Sequence, residues 1–197
     1  VLEVPEKVLV AITRRDNPQA VLGVFSQRWT ALSDIRPREG DVWVALDRVR
    51  DPGNLGTVIR TVDAAGARGV ILVGETTDPF SLETVRATMG SIFAVPVARG
   101  SAEAFIAWKK AAKVRLVGTH LKGSVDYRTV DYSTGATVLV MGNEQQGLPD
   151  DIAGACDALI RIPQAGRADS LNLAVATGVA LYEIRRHALP VAGKEGA

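Results

Sequence analysis

The polar side chains that could do chemistry in this chain fall in three segments, and each segment follows a predicted buried strand. They comprise amides, a guanidinium, a carboxylate and a hydroxyl: Asn54, Arg60, Glu144, Ser170 and Asn172. Together these groups can donate and accept hydrogen bonds, and a guanidinium is suited to contacts with phosphates and bases. Each segment also has a plainer structural explanation.

The first segment, Leu46–Arg60, runs from a strand through a turn rich in glycine, proline and asparagine into a helix. It resembles a phosphate-binding loop only loosely, because the spacing of Gly53 and Gly56 matches neither the dinucleotide-binding nor the Walker A pattern. A nucleotide-dependent oxidoreductase is therefore not favoured. The structural alternative is a simple strand-to-helix turn, in which Asn54 caps the helix and the Arg60 side chain is solvated.

The second segment, Val138–Pro149, contains glycines that would let backbone groups approach a flat ligand closely. The alternative is an ordinary turn at the end of a strand. In the third segment, Ile162–Asn172, either Ser170 or Asn172 is a natural N-cap for the final helix. Capping alone would explain either residue.

The elements around these segments alternate between short apolar strands and helices. The predicted strands are Val42–Leu46, Val70–Val73, Phe93–Ala98, Val114–Thr119, Thr137–Met141 and Ala158–Ile162, and the predicted helices are Thr57–Ala65, Ser81–Met89, Ala102–Ala112, Pro149–Ala155 and Leu171–His187. This order predicts an α/β fold with a mainly parallel sheet and helices on both faces. Ligands of such sheets bind at the carboxyl ends of the strands, where the three segments lie.

Composition indicates a globular protein, since the 197 residues are 47% hydrophobic and 23% charged. Apolar runs such as Val70–Val73 are too short to cross a bilayer and no secretory signal is visible, so we expect a cytoplasmic protein without membrane contact. A formal net charge of +1 excludes nucleic-acid binding by bulk charge. Because Cys156 is the only cysteine, an internal disulfide is excluded, and we expect its side chain to be buried and packed. His120 and His187 are the only histidines and lie far apart, so no metal site is expected.

The order and combination of the three segments resemble the motifs of the SpoU (TrmH-like) RNA 2′-O-ribose methyltransferases of the SPOUT superfamily. The matching residues are, motif by motif, Asn54, Gly56, Arg60 and Ala64–Gly66; Gly142–Glu144, Gly147 and Leu148; and Ile162–Pro163, Gly166, Ser170–Asn172 and Leu181–Glu183. The resemblance covers residues 41–188. Two positions depart from it, because Gln145 stands where the family usually has glycine and Gln164 where it often has methionine.

The resemblance implies a C-terminal trefoil knot and a bound S-adenosylmethionine, converted to S-adenosylhomocysteine, without a metal. The implied cofactor-binding residues are Thr119, His120, Leu121, Met141, Gly142, Asn143, Gly147, Ile162, Gln164, Ser170, Leu171 and Asn172. It gives Arg60 the role of base or activator of the 2′-hydroxyl and Asn54 the role of orienting it, while Glu144 orients Arg60 or a substrate group. A guanidinium keeps its proton and positive charge in proteins and is therefore a poor base, which keeps a second role open, in which Arg60 holds a neighbouring phosphate.

The resemblance also predicts domains and partners. Residues 1–40 are expected to be a remnant of an N-terminal ribosomal-protein-like substrate-binding domain plus a linker, and residues 41–197 the SpoU methyltransferase catalytic domain. The expected substrate is ribosomal RNA first and transfer RNA second, and the expected assembly is a homodimer. A protein of another class, which binds RNA without catalysis on the same fold, is the alternative.

Overall fold

A single sheet forms the centre of the computed structural model, which describes residues 1–120 and 125–189. Its eight strands within those ranges are β1 (Thr30–Ala31), β2 (Val42–Asp47), β3 (Gly69–Val73), β4 (Val97–Gly100), β5 (Arg115–Thr119), β6 (Val125–Asp126), β7 (Thr137–Met141) and β8 (Ala158–Arg161). They are ordered β1-β4-β3-β2-β7-β5-β8-β6, and every pairing between them is parallel. The predicted parallel sheet is confirmed.

Helices cover both faces of this sheet. The helices are α1 (Glu6–Thr13), α2 (Pro52–Ala64), α3 (Leu82–Ala87), α4 (Ala102–Ala112), α5 (Asp150–Ala155) and α6 (Leu173–Arg185). Helices α2 and α6 pack on one face and α4 and α5 on the other, while α3 packs against α2. The core on one face includes Ile59 of α2 and Leu181 of α6, and the core on the other includes Phe105 of α4 and Ile152 of α5. The three central strands are buried along their whole length, which explains why their sequences are runs of aliphatic residues rather than alternating patterns.

The first turn of α2 corrects the sequence interpretation, which placed the helix at Thr57 and made Asn54 its cap. The helix begins at Pro52, whose fixed φ suits the first helical position, and the N-cap is Asp51. The Oδ1 atom of Asp51 accepts the backbone N–H of Asn54 at 2.5 Å. The side chain of Asn54 is therefore not used for capping and is available for other contacts.

The region before β4 differs from the prediction as well. Ser91–Phe93 forms a 3₁₀ turn, and the strand begins only at Val97. Ser81 does cap α3, since its hydroxyl accepts the backbone N–H of Thr84. The prediction of a strand from Phe93 was wrong because an apolar run does not distinguish a strand from a turn that packs on α2.

The N-terminal residues join the same sheet, because Thr30 of β1 lies opposite Ala98 of β4. The Arg99 guanidinium lies 4.5 Å from the ring centre of Trp29, and the Trp29 ring packs edge-on against Phe80. One edge of the sheet is thus formed by residues that precede residue 41. The division into a substrate-binding remnant and a catalytic domain stays a prediction.

The C-terminal part of the chain crosses the sheet to reach its final position. After β8, which lies between β5 and β6, residues 162–172 lead to α6, and α6 packs against α2 and β7. This path brings the third segment beside the first two, and it is consistent with the trefoil knot implied by the resemblance. None of the helices in the described ranges has the length and apolar character that crossing a membrane requires.

Candidate active site

A cavity of about 1010 Å³ opens at the carboxyl ends of β5, β7 and β8. Thr119 and His120 line it after β5, the loop 142–147 lines it after β7, and Ile162 lines it after β8. Residues 169–173, at the start of α6, form a further wall. The cavity therefore lies where a parallel sheet is expected to bind its ligands.

Most of the residues that the sequence suggested meet in this cavity. Those that line it are Asn54, Thr119, His120, Met141, Gly142, Asn143, Glu144, Gly147, Ile162, Gln164, Ser170, Leu171 and Asn172. Gln145 and Gln164, the two departures from the family pattern, line it too. Leu121 lies outside the described residues. The roles of these side chains toward a cofactor or a substrate stay predictions.

The loop after β7, residues 142–147, is a tight turn closed by its own backbone. Asn143 and Gly147 exchange two backbone hydrogen bonds, of 3.1 and 2.9 Å, and Gly147 adopts a φ of +69°. The Oδ1 atom of Asn143 also accepts the backbone N–H groups of Gln145 and Gln146. A Cβ atom on Gly142 would lie 2.2 Å from the carbonyl carbon of Gly147, so only glycine fits there. The turn presents the Glu144 side chain at the cavity wall.

A chain of side-chain hydrogen bonds joins all three segments. The Oδ1 atom of Asn172 accepts the backbone N–H groups of Ala174 and Val175 at 2.9 and 3.3 Å, so its amide nitrogen must point away from α6. That nitrogen donates to Oδ1 of Asn54 at 2.9 Å. The Nδ2 atom of Asn54 then donates to Oε1 of Glu144 at 3.2 Å. Each amide is oriented by its neighbour, which aims the Asn54 amide at the carboxylate.

Arg60 is not brought into this cavity. It lies on the exposed face of α2 with Thr57, whereas Leu55 and Ile59 face the core. Within the described part of the chain it makes no hydrogen bond or ion pair, so its guanidinium can contact a ligand from outside. Its expected role in proton removal or phosphate binding stays a prediction.

Sequence reasoning missed two arginines at the wall of the cavity. Arg50 precedes the Asp51-Pro52 turn, and Arg161 is the last residue of β8; both side chains are exposed. Arg161 ends β8 and Arg50 lies in the connection that follows β2, and these positions were the signal that could have found them. Guanidinium groups at these places suit contacts with the phosphates of a polyanion that approaches the cavity.

Cys156 does not take part in this site. Its thiol is largely buried beside Gly118, and Sγ donates to the carbonyl of Ile152. Burial raises the pKa of the thiol to about 11. Among residues 1–120 and 125–189, no group of three or more histidine, cysteine, aspartate or glutamate side chains is arranged to hold a metal ion.

Comparison with known proteins links this geometry to one family. Residues 41–182 match the sequence profile of the SpoU rRNA Methylase family. The chain is 34% identical over 180 residues to the 23S rRNA (guanosine(2553)-2′-O)-methyltransferase RlmP of Bacillus subtilis, covering 91% of this chain and 70% of that protein. It is 35% identical to the 23S rRNA (uridine(2479)-2′-O)-methyltransferase of Streptomyces viridochromogenes, covering 92% of this chain and 65% of that protein.

A solved structure with a bound cofactor is similar as well. The crystal structure of an AdoMet-bound rRNA methyltransferase from Sinorhizobium meliloti superposes with a TM-score of 0.93 at 68% identity. The match covers 94% of this chain and 71% of the other. The chain thus spans between about two thirds and three quarters of the proteins it matches here.

Proposed function

Since the chain belongs to the SpoU rRNA methylase family, we propose that it transfers a methyl group from S-adenosylmethionine to a ribose 2′-hydroxyl of ribosomal RNA. The observation that carries the proposal is the hydrogen-bonded chain from Asn172 through Asn54 to Glu144 at the wall of the cavity. It supplies oriented groups beside a pocket large enough for a nucleoside. The named relatives from Bacillus subtilis and Streptomyces viridochromogenes, which act on 23S rRNA, support ribosomal RNA over transfer RNA.

The cavity walls fit the cofactor. Apolar side chains of Met141, Ile160, Ile162 and Leu171 line the pocket together with backbone groups at the strand ends, a combination that suits a planar base with a few polar contacts. The turn at Gly142 has no room for a Cβ atom, so the backbone at this wall of the cavity carries no side chain. S-adenosylmethionine supplies a methyl group on a positively charged sulfur. We propose that it binds here without a metal ion.

The residues around the cavity have to align the ribose hydroxyl and allow its proton to leave. Asn54 is held by hydrogen bonds on both sides, so its amide is fixed before substrate arrives. Glu144 has a second carboxylate oxygen that can accept a hydrogen bond from a substrate hydroxyl. Arg60 acts from the RNA side, either on the hydroxyl or on the neighbouring phosphate. Positioning of this kind accounts for several kcal/mol of a methyl-transfer barrier.

We also propose that the protein is a homodimer in the cytoplasm, where its RNA substrate is found. The outer face of α6 carries Val175 and Tyr182, which are 52% and 48% exposed. The other side of the same helix is packed on the core. A second copy that covers the outer face would bury these apolar side chains. Light scattering with activity measured on the same fractions tests this, and a stable, active monomer would contradict it.

The decisive experiment is transfer of a labelled methyl group. Purified protein is incubated with labelled S-adenosylmethionine and with unmodified ribosomal RNA or transfer RNA, and 2′-O-methyl positions are mapped in the product. We expect label in ribosomal RNA at a ribose 2′-oxygen, with or without a chelator. Label in transfer RNA alone would move the substrate assignment. RNA binding without any transfer would favour the non-catalytic alternative.

A further inference from the structure

Arg48, the residue that directly follows β2, has an unusual backbone. Its φ of 48° is in the left-handed region, which residues with a side chain rarely adopt. Its backbone N–H donates to the carbonyl of Val73 at 2.9 Å, which holds it against the neighbouring strand. Backbone strain of this type persists only where the surrounding contacts enforce it, and it occurs preferentially at functional sites.

Arg48 contacts the loop 142–147 at two separate points. Its carbonyl oxygen accepts Nδ2 of Asn143 at 2.9 Å, and its Nη1 donates to Oε1 of Gln146 at 3.0 Å. Asn143 precedes Glu144 in the loop, and Gln146 follows it. The stretch of chain that carries Glu144 is therefore attached on both sides to one residue of the β2–α2 connection.

Asp47 fixes the direction of the Arg48 side chain. The Nε atom of Arg48 donates to Oδ2 of Asp47 at 2.8 Å, and the Asp47 side chain is 3% exposed. A buried carboxylate has to be paired, so the guanidinium is held against it rather than free in solvent. Burial raises the pKa of Asp47, while the Arg48 guanidinium opposes that shift. With Nε held by Asp47, Nη1 is left to reach Gln146.

We propose that Asp47 and Arg48 are positioning residues that hold the loop 142–147 so that Glu144 meets the amide of Asn54. Neither side chain lines the cavity, so both act through the loop. The proposal rests on methyl transfer being the function of the cavity. It assigns a role to Asp47, the last residue of β2, and to Arg48, which follows it and contacts the loop of the second segment.

The chain offers a matched control for this pair. At the opposite end of β2, Nε of Arg68 donates to Oδ1 of Asp41 at 2.7 Å, and Asp41 is buried as well. Arg48→Asn and Arg68→Asn each remove one arginine that pairs with a buried aspartate. Asparagine also tolerates the left-handed backbone at position 48, so the first variant keeps the fold of the turn.

Three readouts separate positioning from general stability. We expect Arg48→Asn to speed amide hydrogen exchange in residues 143–147 and to lower kcat by about 10- to 100-fold, as small displacements of positioning groups do. The KM for RNA should change by less than about threefold, because the RNA-binding groups are untouched. Arg68→Asn should leave all three unchanged. Equal effects in both variants, or no effect of Arg48→Asn on exchange and kcat, would overturn the proposal.

A second variant tests the route through Gln146. Gln146→Met removes the acceptor for Nη1 while keeping the length of the side chain. If Arg48 acts through this bond, the double variant Arg48→Asn/Gln146→Met should lose little more kcat than Arg48→Asn alone, and additive losses would contradict it.

If the wild-type protein transfers no methyl group, the proposed function fails. Exchange in residues 143–147 then decides the positioning role: faster exchange only in Arg48→Asn supports it, and equal exchange overturns it.

Discussion

The amide nitrogen of Asn172 donates to the side-chain oxygen of Asn54 at 2.9 Å, across 118 residues of chain. The same Asn172 side chain caps α6 through its oxygen. The sequence left two interpretations open for this residue, a helix cap or a site residue, and the geometry assigns it both contacts. The start of α6 and the orientation of Asn54 are therefore one structural feature.

Asn172→Asp separates the two contacts of this side chain. A carboxylate still accepts the backbone N–H groups of Ala174 and Val175, but it cannot donate to Asn54. We expect nearly wild-type stability and a fall in methyl transfer of at least about tenfold, because Asn54 loses its orientation. Asn172→Ala should lose activity and also about 1 kcal/mol of unfolding free energy. Denaturant unfolding and single-turnover transfer measure the two effects, and wild-type transfer by Asn172→Asp would contradict this role.

The sheet and most of its helices could be predicted from the sequence because their signals are local. Thr137–Met141 and Ala102–Ala112 have the predicted bounds, since a run of buried aliphatics and a serine cap decide them. The start of α2 could not be predicted in the same way. Asp51 and Asn54 are both good caps, and only the structure tells which side chain meets the free N–H groups.

The candidate site was predictable where it follows the rule for strand ends. That rule and the resemblance together led to Asn54, Glu144 and Asn172, which the structure places in one hydrogen-bonded chain. The positioning role of Arg48 could not be predicted from the sequence in this way. A left-handed φ on an arginine has no sequence signal, and its contact with Gln146 depends on the pairing of β2 with β7.

Gly142→Ala should disrupt the turn that presents Glu144. The added Cβ would lie 2.2 Å from the carbonyl carbon of Gly147 and 2.3 Å from the backbone nitrogen of Leu148, so the turn would have to open. We expect a loss of about 1–3 kcal/mol in unfolding free energy. Calorimetry with S-adenosylhomocysteine should give at least about tenfold weaker binding, a difference of about 1.4 kcal/mol.

Gly154→Ala is the control for this substitution. Gly154 lies in α5, and a Cβ atom there would have no neighbour within 4 Å. Alanine should raise the unfolding free energy by about 0.4–1 kcal/mol and leave binding unchanged. Equal effects of the two glycine substitutions would show that the turn at Gly142 has no special constraint.

The thiol of Cys156 should react slowly at neutral pH. Because burial raises its pKa to about 11, alkylation should keep accelerating up to about that pH, whereas the same cysteine in urea-unfolded protein should level off near the usual thiol pKa. Because the folded state raises this pKa, the contribution of Cys156 to the free energy of unfolding is complete below the unfolded-state pKa and is lost as pH rises through about 11. The pH dependence of the alkylation rate measures the pKa of the Cys156 thiol. Equal midpoints in the folded and unfolded protein would contradict this prediction.

Arg60 lies outside the cavity, and this position makes binding and chemistry separable. Arg60→Ala should leave the affinity for S-adenosylhomocysteine nearly unchanged and should lower methyl transfer by about 10²–10⁴-fold. Arg60→Lys keeps the charge but loses the planar fork. If Arg60 only holds phosphate as a point charge, Lys should retain substantial activity; if the fork positions the hydroxyl or acts as base, Lys should be nearly as poor as Ala. Calorimetry and single-turnover transfer measure the two properties.

The exposed place of Arg60 on α2 also predicts how two inactive subunits behave together. If a homodimer completes each site with Arg60 from the other subunit, a heterodimer of Arg60→Ala and Glu144→Gln contains one site with neither substitution. Mixed dimers should then recover up to about half of the wild-type rate per dimer, although each parent is inactive, because only one of the two sites is intact. If each subunit uses its own Arg60, every site in the mixture carries a substitution and activity stays at the parental level. Activity of co-expressed, doubly tagged dimers therefore shows which subunit supplies Arg60 to each site. A large loss of cofactor affinity in the Arg60→Ala homodimer would instead show that this residue binds the cofactor.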